Sequence, residues 1–106
     1  MANKSRPKRW AEAIERAQKA LSTVEGALDE FEGAMSDLND LRQEYEDWKD
    51  NLHENLQSSS LADKLNEVAD LDIESPKDAL RSAYDDANEI VETCSGIDLP
   101  MGFGRD

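Results

Sequence analysis

The stretch from Trp10 to Leu52 constrains the fold most, because apolar residues recur in it with heptad spacing. The first part alternates steps of four and three, as in a coiled-coil seam. It consists of Trp10, Ile14, Ala17, Leu21, Val24, Leu28, Phe31, Met35 and Leu38. An unbroken heptad would next place an apolar side chain at position 42, which is arginine, and the pattern instead resumes at Leu41, Tyr45, Trp48 and Leu52. We interpret the stretch as one long helix with a single phase shift, a stammer that overwinds the supercoil locally.

Two shorter helices are predicted after the long one. Ser58, Ser59 or Ser60 is predicted to cap the second helix, and Asp63 forms a capping-box-like pair with Ser60 ahead of an apolar stripe. Ser75 followed by Pro76 is typical of a helix start. The predicted helices span residues 10–52, 59–71 and 76–94. The predicted class is all-α, with a long N-terminal coiled-coil-like helix and two shorter helices packed back on it as an antiparallel helical hairpin or three-helix bundle.

The two ends of the chain differ from the helical domain predicted over residues 10–97. Residues 1–9 form a basic arm that we expect to be flexible, either a solvated tail or a contact for phosphate, a nuclear-import receptor or the acidic part of another copy. Residues 98–106 form an extended apolar tail, because Pro100 and two glycines exclude a helix. The tail is predicted either to strap the helices or to bind a partner's groove as a short motif. Its apolar residues are Leu99, Met101 and Phe103.

Charge is distributed unevenly along the chain, whose formal net charge is −13. Residues 1–20 hold six Lys or Arg against two Glu, so the rest of the chain carries −17. Acidic residues three, four or seven positions apart, with one gap between Glu32 and Asp40, predict an acidic row along one side of the long helix. The row comprises Glu25, Asp29, Glu32, Asp40, Glu44, Asp47 and Glu54. Carboxylates four residues apart lie about 6 Å apart along a helix, close to the phosphate spacing of a nucleic-acid strand. The row is therefore either a solubilising face or a surface that imitates DNA.

The N-terminal seam of the long helix is predicted to mediate self-association. Helices of about 13 and 19 residues are together shorter than the first helix, so part of it should stay uncovered. If the second helix runs back from the end of the first, the uncovered part is the N-terminal seam. Its residues are Trp10, Ile14, Ala17 and Leu21. Because apolar stripes of this kind tend to pair with another chain, we expect a homodimer, antiparallel by preference.

Catalytic chemistry has little support in the residues present. The chain has one histidine and one cysteine, His53 and Cys94, which we expect to be a surface turn residue and a core residue. We predict no enzyme activity, no catalytic or metal-binding residues and no cofactor. No apolar run approaches the ~18 residues of a membrane span, and a lone cysteine fits a reducing compartment. We therefore expect a cytoplasmic protein.

Two classes of function remain. The acidic row favours a non-catalytic, small acidic helical protein-binding module, an inhibitor or adaptor that docks on a basic surface of a partner. Direct binding to nucleic acid is not expected. In overall character the chain resembles the small acidic helical proteins with which phages block host nucleic-acid-binding defences, which implies a defence inhibitor or a DNA mimic. The heptad seam favours the alternative, a structural coiled-coil subunit for assembly or tethering.

Overall fold

A computed structural model describes residues 4–100, and its regular structure is helical. Helix α1 is Arg6–Asp50, and a 3-10 turn follows at Glu54–Leu56. Helix α2 is Ser60–Ala69, and helix α3 is Glu74–Gly96. Within residues 4–100 there is no strand. The predicted all-α class, with a long N-terminal helix and shorter helical structure packed on it, is confirmed.

Helix α1 begins at Arg6, inside the predicted basic arm, because Ser5 caps it. The Ser5 hydroxyl accepts a hydrogen bond from the Lys8 N–H at 3.3 Å, which satisfies one of the free amide groups of the first turn. Pro7 lies in that turn, where its missing N–H costs nothing. Lys4 also pairs with Glu12 at 2.9 Å. These contacts stabilise a helix start that the clustered positive charge disfavours.

Helix α2 starts at one of the predicted serine caps, whereas α3 starts with a side chain three positions before the predicted one. Ser59, one of the three serines predicted as the cap, accepts the Ala62 N–H at 3.3 Å, so a serine cap is confirmed and the Ser60–Asp63 capping box is wrong. At α3 the Asp72 carboxylate accepts the Ser75 N–H at 3.0 Å. Asp72 therefore takes the capping role predicted for Ser75, and α3 begins two residues earlier than expected. Hydrogen bonds from the Ser75 backbone and hydroxyl hold the pKa of Asp72 below its ordinary value.

Contacts among the described residues gather into two compact units, whereas the sequence predicts one helical domain. The first unit combines α1 up to Leu28 with α3 from Arg81 onward, and the second is Asp29–Leu80. In the second unit a small core is buried just after α1 and within α2. It consists of Leu52, Ala62 and Leu65, with Leu61 packed against it. In the first unit Leu28 is buried.

Candidate protein-docking site

The covered side of α1 in the second unit keeps heptad spacing without a phase shift. From Met35 onward, the half-buried positions follow steps of four, three, four and three. They are Met35, Asn39, Arg42, Glu46 and Lys49. The interpretation of Leu41 as the point where the seam changes register is therefore wrong. The packed side continues through Arg42, whereas the apolar residues from Leu38 to Trp48 lie outside it.

Arg42 explains how a polar residue can occupy a packed heptad position. Its Nη1 donates to the backbone carbonyl of Ala69 at 3.0 Å and to the Glu46 carboxylate at 2.9 Å. Its Nε donates to Asn39 Oδ1 at 2.9 Å. Ala69 is the last residue of α2, where unpaired carbonyls and the helix dipole favour a positive charge. Arg42 thus ties α1 to α2 through its hydrogen bond to Ala69, while its bonds to Asn39 and Glu46 lie within α1.

The displaced apolar residues form an exposed band on α1, which we call the apolar stripe. It consists of Leu38, Leu41, Tyr45 and Trp48, whose exposed fractions are 51%, 49%, 41% and 49%. At 3.6 residues per turn these positions fall within an arc of about 80°. The rings of Tyr45 and Trp48 stack with their centroids 6.1 Å apart. Four large apolar side chains on one open helix face are more than the scattered exposure usual on a soluble surface.

One border of the apolar stripe carries only acids, which we call the acidic edge. It consists of Asp37, Asp40, Glu44 and Asp47, all of them exposed. Viewed along the helix axis, these four residues lie about 20–100° around the helix from the nearest residue of the stripe. Asp47 accepts a hydrogen bond from Gln43 at 3.1 Å. The two basic residues of α1 after Asp29, Arg42 and Lys49, are half-buried on the packed side, so neither neutralises this edge.

The predicted acidic row is divided between this edge and other surroundings. Asp40, Glu44 and Asp47 belong to the acidic edge, and Glu54 lies beyond α1 in the 3-10 turn. Glu32 is half-buried, and Asp29 is exposed.

In the first unit Glu25 is exposed but makes a hydrogen bond to α3. Its carboxylate accepts the Tyr84 hydroxyl at 2.6 Å, which raises the pKa of that hydroxyl. Arg81 lies over the Tyr84 ring, 5.6 Å from the centroid.

The end of α3 reaches the N-terminal seam and covers it in part, with Trp10 still 39% exposed, so the expectation of a bare seam is wrong. The Trp10 indole N–H donates to the Cys94 carbonyl at 2.9 Å. The other three seam residues, Ile14, Ala17 and Leu21, are half-buried. A shallow cleft of about 210 Å³ remains between the two helices, lined by Trp10, Ala13, Ile14, Ala17, Ile90, Val91 and Cys94. Helix α3 has 23 residues, more than predicted. Self-association through these residues stays a prediction.

The remaining predicted features add little chemistry. His53 Nδ1 accepts the Asn55 N–H at 3.3 Å and so caps the 3-10 turn. Across the described residues no three His, Cys, Asp or Glu side chains are placed to hold a metal ion.

Of the tail motif, Leu99 is half-buried, whereas Met101 and Phe103 lie outside the described residues. No described helix has the length and apolar character needed to cross a membrane.

Comparison with family models, with curated proteins and with solved structures found no match for the chain.

Proposed function

We propose that this protein is a non-catalytic protein-binding module, an inhibitor or adaptor, that docks on a partner's basic surface through the apolar stripe and acidic edge of α1. The observation that carries the proposal is the exposure of Leu38, Leu41, Tyr45 and Trp48 beside four acids. Each of these side chains still exposes roughly half its surface. Covering that surface in a complex contributes on the order of 1 kcal/mol per side chain.

The two parts of the site have different roles in binding. Tyr45 and Trp48 belong to the residue types that most often dominate interface energies. Their stacked rings present a large surface with little conformational entropy to lose. The acidic edge attracts a positively charged partner and excludes acidic ones, so it contributes more to association rate and specificity than to affinity.

The same site distinguishes docking from pure DNA mimicry. A mimic needs carboxylates at phosphate-like spacing, and the acidic edge supplies four of them. A DNA mimic has no need of an exposed apolar stripe, because the phosphate backbone is recognised mainly by charge. We therefore favour a partner whose basic surface also carries apolar side chains. Such a surface includes the nucleic-acid-binding face of a protein when aromatic or aliphatic residues line it.

A second candidate is a structural subunit that assembles through a coiled coil. The spacing of the apolar stripe, three, four and three residues, is also what a second helix needs in order to pack on α1. The two candidates differ in what packs on the stripe. In the first it is the basic surface of a partner protein, and in the second it is a helix of a coiled-coil assembly. We assign either activity to the cytoplasm, the compartment that fits a chain with one unpaired cysteine, Cys94.

The proposal is tested by quantitative affinity capture with matched variants. The bait is the full chain as wild type, as a Leu41→Gln/Trp48→Gln double variant, and as Leu80→Gln. Leu80 is a suitable control because it is 46% exposed and lies outside the stripe. Circular dichroism checks that all three baits are folded.

We expect the wild type and Leu80→Gln to retain the same partner and the double variant to lose it. Retention should also weaken at about 0.5 M salt, where the Debye length falls to a few ångströms. A captured partner that is insensitive to the double substitution would contradict the proposal.

A further inference from the structure

We propose that the occupant of the apolar stripe is a basic amphipathic α-helix of another protein, with lysine or arginine along the flank that faces the acidic edge. This inference rests on the proposed docking function and specifies the partner. It follows from the shape of the stripe, from the different character of its two borders and from the charge of a second copy.

The shape of the stripe matches a helical ligand. Leu38 and Trp48 are ten residues apart, so the stripe extends about 15 Å along a straight helix. This length corresponds to nearly three turns of a helix packed alongside, whose apolar residues at i, i+3 or i+4, and i+7 would meet the stripe. The stacked rings of Tyr45 and Trp48 form one end of this surface, and the two leucines form the other.

The two borders of the stripe specify the charge of the ligand. On the acidic edge, Asp37, Asp40 and Glu44 make no side-chain hydrogen bond or ion pair with any part of the chain that the structure describes. On the opposite border Arg42 is engaged by α2 and Glu46. The carboxylates open to a ligand are thus concentrated on one border. A helix with cations along one flank and apolar residues beside them complements this arrangement.

A second copy of the same stripe is a poor occupant. In an antiparallel pair of helices, equivalent flanks face each other, so the acidic edge would meet another acidic edge. In a parallel pair, the acidic edge would meet the border where Arg42 already binds Ala69 of α2. An antiparallel pair thus leaves Asp40 and Glu44 without a counter-charge, and a parallel pair offers them only Lys49, which is half-buried on the packed side, whereas a basic partner neutralises both directly.

The test uses the full chain and three synthetic helical peptides of about 18 residues. The first peptide has leucines at heptad positions and lysines along one flank. The second keeps the leucines and replaces the lysines with glutamates. The third keeps the lysines and replaces the leucines with alanines. Calorimetry measures each affinity, and the fluorescence of Trp48 in a Trp10→Phe variant reports whether the ligand lies on the stripe, because the chain has two tryptophans.

We expect the first peptide to bind with one-to-one stoichiometry, a change in Trp48 fluorescence and an affinity at least about tenfold tighter than either control peptide. Neutralising the acidic edge by Asp40→Asn/Glu44→Gln/Asp47→Asn should weaken binding by about tenfold or more. Leu41→Gln should weaken it as well, whereas Leu80→Gln should not. Circular dichroism confirms that each variant is folded.

Three results would overturn the inference. The alanine peptide could bind as tightly as the leucine peptide, which would show that charge alone accounts for the binding. The wild type could associate with itself at micromolar concentration and become monomeric on Leu41→Gln, which would identify a second copy as the occupant. All peptides could fail to bind while the stripe-dependent partner is still captured, in which case the proposed docking function survives and its ligand is not a helix.

Discussion

The Arg42 guanidinium lies 3.0 Å from the backbone carbonyl of Ala69, at the point where α2 ends. Arg42 is 27 residues before Ala69, so this hydrogen bond fixes one helix against another. It places a cation at the negative end of the α2 dipole. The neighbouring apolar residues of α1 lie outside this packed side and form the exposed stripe.

The first prediction concerns this arginine. Arg42→Ala should lower the free energy of unfolding by about 1–3 kcal/mol, because the Ala69 carbonyl and the partly buried Glu46 lose a charged donor. Urea denaturation followed by circular dichroism measures the change. Lys49→Ala is the matched control, since Lys49 is also half-buried on the packed side. An equal loss from both substitutions would show that the Ala69 contact has no special weight.

The second prediction compares the two tryptophans. Trp10→Phe keeps an aromatic ring in the cleft but removes the hydrogen bond to the Cys94 carbonyl. It should lower the free energy of unfolding by about 1 kcal/mol. Trp48→Phe, on the exposed stripe, should change it by less than about 0.5 kcal/mol. Thermal denaturation of the two variants checks this, and the reverse order of stability would contradict the assignment of Trp10 to the packed side.

Most of the fold follows from periodicity, whereas the docking site does not. The 4-3 spacing from Trp10 to Met35 predicts a long helix and most of its packed side, because a seam of this kind is buried wherever an apolar partner is available, although Trp10 and Val24 stay 39% and 46% exposed. After Met35 the apolar pattern and the packed side diverge. Arg42 stands where the heptad requires a buried residue, and that mismatch is the sequence signal of a polar anchor. Its interpretation needs the position of Ala69, which periodicity does not supply.

The helix starts were predictable in kind but not in position. Ser5, Ser59 and Asp72 all have capping side chains; Ser59 stands between two other serines, and Asp72 is three residues before Ser75. The choice among neighbouring candidates depends on how the chain enters the helix, and entry is decided by tertiary packing. The seam at Trp10 was predicted as bare from helix lengths alone, whereas the end of α3 reaches it, as the hydrogen bond from the Trp10 indole to the Cys94 carbonyl shows.

The third prediction is a pH dependence of stability that originates at Asp72. Its pKa is lowered in the folded protein by hydrogen bonds from Ser75. A lowered pKa means that the stabilisation is present above the unfolded-state pKa of about 3.9 and is lost as the pH falls through the folded value. Asp72→Ala should therefore be less stable than the wild type at neutral pH, and the difference should shrink below about pH 4. Urea midpoints at several pH values measure it.

The control for this experiment is Asp86→Ala, an exposed acid within α3. Asp86 does not cap the start of a helix, so Asp86→Ala should not show the pH-dependent difference in stability. If both variants followed the wild type in parallel at all pH values, the capping role of Asp72 would be excluded.

The fourth prediction concerns the N-terminal seam. Because Ile14 lines the cleft beside Val91, Ile14→Asp should lower the free energy of unfolding by about 2 kcal/mol or more, through burial of a charge. The predicted homodimer adds a separate expectation. If the wild type pairs through this seam, its melting temperature rises with protein concentration. Sedimentation of the wild type as a monomer, with a melting temperature that does not depend on concentration, would exclude that dimer.

The fifth prediction applies one substitution at two leucines whose surroundings differ. Leu65 is 2% exposed in the core of the second unit, whereas Leu41 is 49% exposed on the apolar stripe. Leu65→Gln should lower the free energy of unfolding by about 2–4 kcal/mol, because the core loses an apolar side chain and gains an amide without a partner. Leu41→Gln should change it by less than about 0.5 kcal/mol, since its amide remains in water. Urea denaturation of both variants separates the two cases. A large loss at Leu41 would place this residue in the packing of the fold and remove it from the docking surface.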